Sequence, residues 1–236
     1  TQWLDRAIQT MEEVVSRERT AEHLLALGEM RSERGHAKAA EDTLREALAL
    51  DEKNGAVRAS LAQAIMQRAR GEDIDVDEEV QHDHEAHEPR DPSEVSETVR
   101  AAAHEALPLL RQAAELDPTL PMIYTRIGTL YDLLGMPDDA RIAYNDAITR
   151  DPADAGAHYA LGTLQLQQQK PAAAIPHLER AVELSPFALA VRVSLASAYV
   201  AAGRKQEARR ELDFADRLSP GLPEVAELRA RLARVN

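Results

Sequence analysis

The sequence repeats at a fixed interval, and this interval limits what the chain can fold into. Four alanines are evenly spaced along the chain, namely Ala113, Ala147, Ala181 and Ala215. Their period of about 34 residues is typical of an array of helix-turn-helix units. Ala47 precedes the first of them by almost two periods. The sequence therefore predicts a helical array in which one repeat carries an insertion of about 32 residues.

Other positions repeat in phase with these alanines. Each block has an early pair of one large apolar and one small residue, as in Leu27-Gly28 and Leu161-Gly162. Twelve positions after the small residue comes another alanine, seen at Ala40, Ala140, Ala174 and Ala208. Most blocks then end on Asp-Pro or Ser-Pro, and proline stops a helix. We expect the small residues to remove bulk where the two helices of a pair cross. Gly35, Gly135 and Gly203 are expected to provide the turn inside the pair.

On these residues the chain resembles the tetratricopeptide repeat family. The matching blocks are 21–54, 55–120 with the insertion inside, 121–154, 155–188 and 189–222. The resemblance implies an all-α fold, a helix-turn-helix solenoid wound into a right-handed superhelix. It also implies a non-catalytic protein-protein interaction scaffold. Two departures weaken single repeats: the early aromatic of the first helix remains only as Tyr124, and Glu52 replaces the closing proline.

Amphipathic helices are predicted at both ends of the array. The segment 1–20 places Leu4, Ile8, Met11 and Val15 on one face, and the segment 223–236 does the same with Val225, Leu228 and Leu232. Such end helices keep a solenoid from exposing its last apolar face. The first helix also fits the remnant of an upstream repeat. The alternative of a repeat array from a larger enzyme or a secretion or assembly component therefore stays open.

The insertion carries most of the charge. Residues 70–100 hold twelve acids and three arginines, a charge of −9 out of −13 for the chain. Residues 71–90 read as an acidic loop, and the helix start Asp91-Pro92-Ser93-Glu94 predicts a helix from Pro92 to Leu116. A nucleic-acid partner is excluded because no basic stripe appears and aromatics are only 3%. No apolar run is long enough for a membrane span, so we expect a soluble protein of the cytoplasm or periplasm.

Three histidines in the acidic loop form the candidate metal site. His82, His84 and His87 lie among acidic residues, and imidazoles with carboxylates can bind Zn²⁺, Ni²⁺ or Cu²⁺. A metal-handling function is the alternative that this loop raises, and a solvated polar loop is the plainer interpretation. Zinc binding measured with and without the three histidines distinguishes the two. No other cofactor is predicted, and the chain has no cysteine.

The resemblance implies that the first helix of each pair lines a concave groove. The candidate partner-binding residues there are Leu25, Met66, Met122, Arg126, Leu133, Tyr159, Leu166, Val193 and Val200. Family members that clamp a C-terminal carboxylate use basic residues, but Leu25 and Thr125 occupy matching places here. A mostly neutral groove favours a helical or apolar peptide of a protein partner. Packing of these side chains against neighbouring helices is the other interpretation. The acidic loop is a second candidate contact, for a basic protein surface. No residue pattern predicts catalysis.

Overall fold

The chain is built from consecutive helices joined by short connections. The computed structural model describes residues 2–71 and 96–234, and in those residues it has twelve α-helices and no strand. The helices are α1 (Gln2–Arg17), α2 (Ala21–Arg34), α3 (Ala37–Leu50), α4 (Gly55–Ala69), α5 (Glu97–Leu116), α6 (Ile123–Leu133), α7 (Pro137–Arg150), α8 (Ala155–Gln167), α9 (Pro171–Leu184), α10 (Leu189–Ala201), α11 (Lys205–Leu218) and α12 (Pro223–Arg234). The prediction of an all-α helical-repeat fold is confirmed.

The helices form two compact units. Unit 1 is Thr1–Gly135 and unit 2 is Met136–Asn236. In unit 1 each helix from α1 to α6 packs against the next one, and α2 also contacts α4. In unit 2 each helix from α7 to α12 packs in the same way, and α12 lies against both α10 and α11. Packing between neighbours in the chain is what a repeat array requires.

Small residues allow the helices of a pair to approach closely. A methyl group on Gly28 would lie 2.5 Å from Leu44 Cγ, and one on Gly162 would lie 2.6 Å from Leu178 Cγ. Both leucines are fully buried, so the glycines leave room for their side chains. The alanines at the two repeated positions are at most 5% exposed: Ala40, Ala47, Ala106, Ala113, Ala140, Ala147, Ala174, Ala181, Ala208 and Ala215. The periodic small residues are therefore buried where neighbouring helices pack within each unit.

The predicted inward faces of the two end helices are buried. Ile8 and Val15 of α1 lie in one apolar cluster with Leu24 and Leu27 of α2. On α12, Val225, Leu228 and Leu232 join the cluster of α10 and α11. Each end helix thus covers apolar surface of its own unit.

The start of α5 corrects one prediction. The sequence places the start at Pro92, but the helix begins at Glu97 and has 20 residues. Ser96 is the N-cap, with φ −56° and ψ 147°, and its hydroxyl accepts a hydrogen bond from the Val99 amide at 3.3 Å. Serine is a preferred N-cap because its oxygen satisfies an amide that has no partner within the helix. The four-residue motif before it lies outside the described residues.

Left-handed residues end the first helix of several pairs. Gly35, Gly135 and Gly203 have φ of 89°, 74° and 74°, which confirms their predicted role in the turns. Gln169 occupies the equivalent place one repeat away from both Gly135 and Gly203, and it has φ 57°. The amide of Lys170 after it bonds to the Gln165 carbonyl at 2.9 Å, as the amide of Arg204 does to Tyr199. One turn of the array therefore holds a residue with a Cβ in a conformation that favours glycine.

Replacing Gln169 with glycine is expected to stabilise the protein. The change removes the strain of the left-handed backbone, offset in part by greater freedom of the unfolded chain, for a net gain of about 0.5–1 kcal/mol. The reverse change, Gly203→Gln, is the matched control and is expected to destabilise by a similar amount. Urea unfolding followed by circular dichroism measures both midpoints. A lower midpoint for Gln169→Gly would mean that the glutamine side chain contributes more than its backbone costs.

Candidate functional site

Two neighbouring pockets open on unit 1 along helices α2, α4 and α6. The first pocket has a volume of about 420 Å³ and is lined by Glu29, Ser32, Glu33, Ala56, Ala59, Ser60, Gln63, Leu120, Pro121 and Arg126. The second has about 330 Å³ and is lined by Ala62, Gln63, Met66, Gln67, Arg70, Leu110, Met122, Thr125, Arg126, Thr129 and Leu130. Gln63 and Arg126 line both, so the pockets are adjacent. We call the two together the unit-1 groove.

The two pockets differ in chemistry. The first has two carboxylates, and one of them is held in place because Ser60 Oγ donates a hydrogen bond of 2.8 Å to Glu29 Oε1. The second has an apolar lining that includes Met66, Leu110 and Leu130. Its Thr129 hydroxyl donates to the Thr125 carbonyl of its own helix at 2.9 Å. The unit-1 groove therefore has one acidic end and one apolar end.

Arg126 stands where the two pockets meet. Its side chain is partly buried, and its guanidinium makes no hydrogen bond or ion pair to any residue that the structure describes. Burial lowers the pKa of Arg126, and the charge of Glu29 acts in the opposite direction. A partly desolvated charge with no close partner is costly to the folded state. Within the described part of the chain, the centre of the unit-1 groove thus holds a cation without an ion-pair partner.

Met122 is an exposed apolar residue with an unusual backbone. It is 54% exposed, it precedes α6 as its N-cap, and its φ is 55°. Methionine makes no side-chain hydrogen bond to cap this helix. Strained backbone and exposed apolar surface in one residue are a combination that occurs at binding sites. Nothing in the local sequence pattern indicates this φ.

The structure brings three of the predicted groove residues together in unit 1. Met66, Met122 and Arg126 all line the second pocket. Leu25 instead packs against the apolar cluster that α1 forms with α2. Leu133 is partly buried near the end of α6 and lines neither pocket. Sequence reasoning missed Arg70, although its spacing of four from Met66 places both on one face of α4.

Unit 2 brings the other four predicted residues into one apolar cluster. Tyr159 and Leu166 of α8 and Val193 of α10 are partly buried against it. Val200 is only 4% exposed and shares the cluster with the apolar face of α12. Val200 thus lies in the buried core of unit 2, and its place in a binding groove stays a prediction.

Two histidine side chains contact each other in unit 2. His158 Nε2 lies 3.3 Å from the Pro152 carbonyl, and the two Nδ1 atoms of His158 and His177 are 3.3 Å apart. A carbonyl only accepts, so Nε2 of His158 donates to Pro152, and the two Nδ1 atoms share one hydrogen bond. One repeat later, Arg192 donates to the Pro186 carbonyl and pairs with Glu211. His158 and His177 thus occupy the repeat positions that Arg192 and Glu211 occupy one repeat later, where these two residues form an ion pair.

No group of three or more potential metal ligands occurs in residues 2–71 and 96–234. The predicted metal ligands His82, His84 and His87 lie outside the described residues. In the same described ranges, no helix combines the length and the apolar character that crossing a bilayer requires.

Helix pairs that repeat at one interval and pack on their neighbours define a helical-repeat protein. Two family models, both described as tetratricopeptide repeat, match residues 125–188 and 165–232. Residues 125–232 thus match the tetratricopeptide repeat family, whose repeats form scaffolds for protein-protein interactions, and the chain has the helical-repeat fold of that family. No curated protein sequence matches the chain.

Three solved structures, two of them described as TPR proteins, are similar to this one in fold. TTC0263 from Thermus thermophilus is 21% identical, with a TM-score of 0.61 over 84% of this chain and 91% of that chain. Pseudomonas aeruginosa pilF is 20% identical, with a TM-score of 0.69 over 93% and 86%. YrrB, described as a TPR protein with an unusual peptide-binding site, is 13% identical, with a TM-score of 0.63 over 93% and 97%. At these identities the likeness extends to the fold alone.

The histidine pair predicts how stability depends on pH. Burial, and then the neighbouring His158, lower the pKa of His177 in the folded protein. As the pH falls below the unfolded value of about 6.5, the unfolded chain takes up a proton that the folded state resists, so stability falls. We expect a lower melting temperature at about pH 5.5 than at about 7.5.

His177→Gln is expected to reduce this difference, because glutamine still donates to His158 but does not titrate. His104→Gln changes an exposed histidine and serves as the control. Thermal melts of the three proteins at both pH values measure the effect. If the melting temperatures of His177→Gln and wild type fall equally between the two pH values, the histidine pair does not cause the pH dependence.

Proposed function

We propose that this protein is a non-catalytic adaptor that binds a helical or apolar segment of a partner protein. In unit 1 the segment binds in the unit-1 groove, and its largest apolar side chain enters the second pocket. The observation that carries the proposal is the pairing of exposed Met122 with the buried Met66 in the lining of one pocket. Contact with a partner would remove the exposed methionine from water.

The size and lining of the second pocket fit an amino-acid side chain. Its volume of about 330 Å³ is at the lower end of the range of ligand pockets, which suits one or two large side chains. Methionine is unbranched and polarizable, so it adapts to apolar groups of different shapes. The pocket is built on three helices whose cores are packed, so little order has to be gained on binding.

The family adds support of a more general kind. Tetratricopeptide repeats act as interaction scaffolds, and YrrB, which is similar in fold, has a peptide-binding site by its description. In unit 2 the partly buried Tyr159, Leu166 and Val193 are candidates for a second contact. The acidic segment 71–90 is a candidate contact for a basic protein surface. Each of these contacts is part of the proposal.

Met122→Asn tests the contact in unit 1. Asparagine tolerates a positive φ, so the change removes the apolar side chain without new backbone strain. Short random peptides displayed on phage are selected on the 236-residue chain. Selected peptides are then synthesised, and their dissociation constants are measured by fluorescence anisotropy. We expect Met122→Asn to weaken binding roughly tenfold, since central apolar residues dominate such interfaces.

Met136→Asn is the matched control. Met136 is 41% exposed, it is the N-cap of α7 and it lines neither pocket. Its replacement is expected to leave affinity unchanged. Equal affinities for wild type and Met122→Asn, with backbone amide shifts on peptide addition confined to unit 2, would contradict the proposal for the unit-1 groove.

A further inference from the structure

The guanidinium of Arg126, which makes no hydrogen bond or close ion pair to the described residues, indicates what kind of segment enters the unit-1 groove. We propose that the bound segment carries one acidic side chain beside a large apolar side chain. Arg126 pairs with the acidic group while the second pocket takes the apolar one. This inference rests on the proposed function and names the class of partner for the same site.

The first step concerns the charge of the second pocket. Its lining contains two arginines, Arg70 and Arg126, and no acidic residue in the part that the structure describes. This is a local cationic site in a chain whose net charge is −13. The other lining groups are apolar or uncharged, so the positive charge of the two arginines is not neutralised within the lining. The complementary ligand is an anion next to an apolar group.

The second step concerns the energy of the free protein. Many other arginines of the described residues form ion pairs, among them Arg19, Arg31, Arg34, Arg45, Arg68, Arg141, Arg180, Arg192, Arg204 and Arg229. Arg126 is partly buried and has no such partner in the same residues. The guanidinium has therefore already lost part of its hydration in the free protein. A carboxylate that binds to Arg126 gains a charge-assisted hydrogen bond, and part of the dehydration of the guanidinium has already occurred before binding.

The third step concerns direction along the groove. Glu29 and Glu33 line the first pocket, and Ser60 holds Glu29 in position. A carboxylate there would be repelled, so the acid of the partner faces the second pocket. Because Arg126 lies where the pockets join, a bound chain passes it and does not end there. The recognised group is therefore a side-chain carboxylate of aspartate or glutamate.

The fourth step limits the charge of the partner. The net charge of −13 repels a strongly acidic protein at long range. One acidic residue beside an apolar one is recognised locally, whereas a run of acids would also meet Glu29. Residues on the first-pocket side of the segment are expected to be basic or uncharged.

The test uses the same peptide selection on the full chain. Peptides selected on wild type are expected to be enriched in aspartate or glutamate next to leucine, methionine or phenylalanine. Peptides selected on Arg126→Gln are expected to lack this enrichment. The chosen peptide is synthesised with a blocked C-terminus, so that only side chains carry a carboxylate.

Binding of this peptide then measures the pairing directly. Changing its acidic residue to the amide, or Arg126 to glutamine, is expected to weaken binding roughly tenfold in either case. Combining the two changes is expected to cause little further loss, because both remove the same contact. Arg6→Gln removes an exposed arginine of α1 and is expected to leave affinity unchanged.

Arg126→Gln is not expected to lower the melting temperature, because it removes a partly buried charge that no described residue pairs with. If this variant does not fold, the change from acid to amide in the peptide still tests the pairing on wild type. A selection without enrichment in acids, or an amide change that costs as much on Arg126→Gln as on wild type, overturns the inference.

The two proposals fail in different ways. If Met122→Asn weakens binding but Arg126→Gln does not, the unit-1 groove binds the segment and the acidic recognition is wrong. If selection gives no peptide whose affinity responds to Met122→Asn, both proposals are wrong.

Discussion

The close approach of two helices within each pair is the contact on which the structure depends. Where Gly28 faces Leu44 and Gly162 faces Leu178, an added methyl group would lie within 2.6 Å of a buried leucine carbon. The buried alanines that repeat along the chain likewise allow neighbouring helices to approach closely within each unit. A side chain of even moderate size would separate the helices and open the core. A chain with only 3% aromatic residues can therefore bury its core through many small contacts.

This mode of packing leaves one face of the helices free for other contacts. In unit 1 the helices α2, α4 and α6 line the unit-1 groove with both buried and exposed side chains. Its floor is held by packed helices, while Met122 and Arg126 keep features that a core would not tolerate. One is an exposed apolar side chain in a left-handed conformation, and the other is a charge that no described residue neutralises. Sites that break local rules in this way are where function is expected.

The candidate site could be predicted only in part. Family resemblance and helical spacing placed Met66, Met122 and Arg126 on one surface, because residues at intervals of three and four share a helix face. Spacing alone did not indicate that Val200 is buried in one cluster with apolar side chains of α12, at the far end of the chain. Nor did spacing indicate that Leu25 packs against the apolar cluster that includes α1 and α2. The start of α5 at Glu97 was missed because both Asp91 and Ser96 are residue types that cap helices, and the sequence does not rank them.

The sequence by itself determined the period, the helical content, the small residues of each pair and the glycines that end three helices. These features depend on spacing along the chain, which the local geometry of a helix converts directly into faces and turns. Only the tertiary structure decided that His158 meets His177, that Gln169 takes a backbone conformation suited to glycine, and that Arg126 lies between two pockets without an ion pair to any described residue. These features depend on which side chains from separate helices meet, and a repeat allows different residues at the same position. Periodicity therefore predicts the helical array, and the contacts that differ between repeats define the candidate binding site.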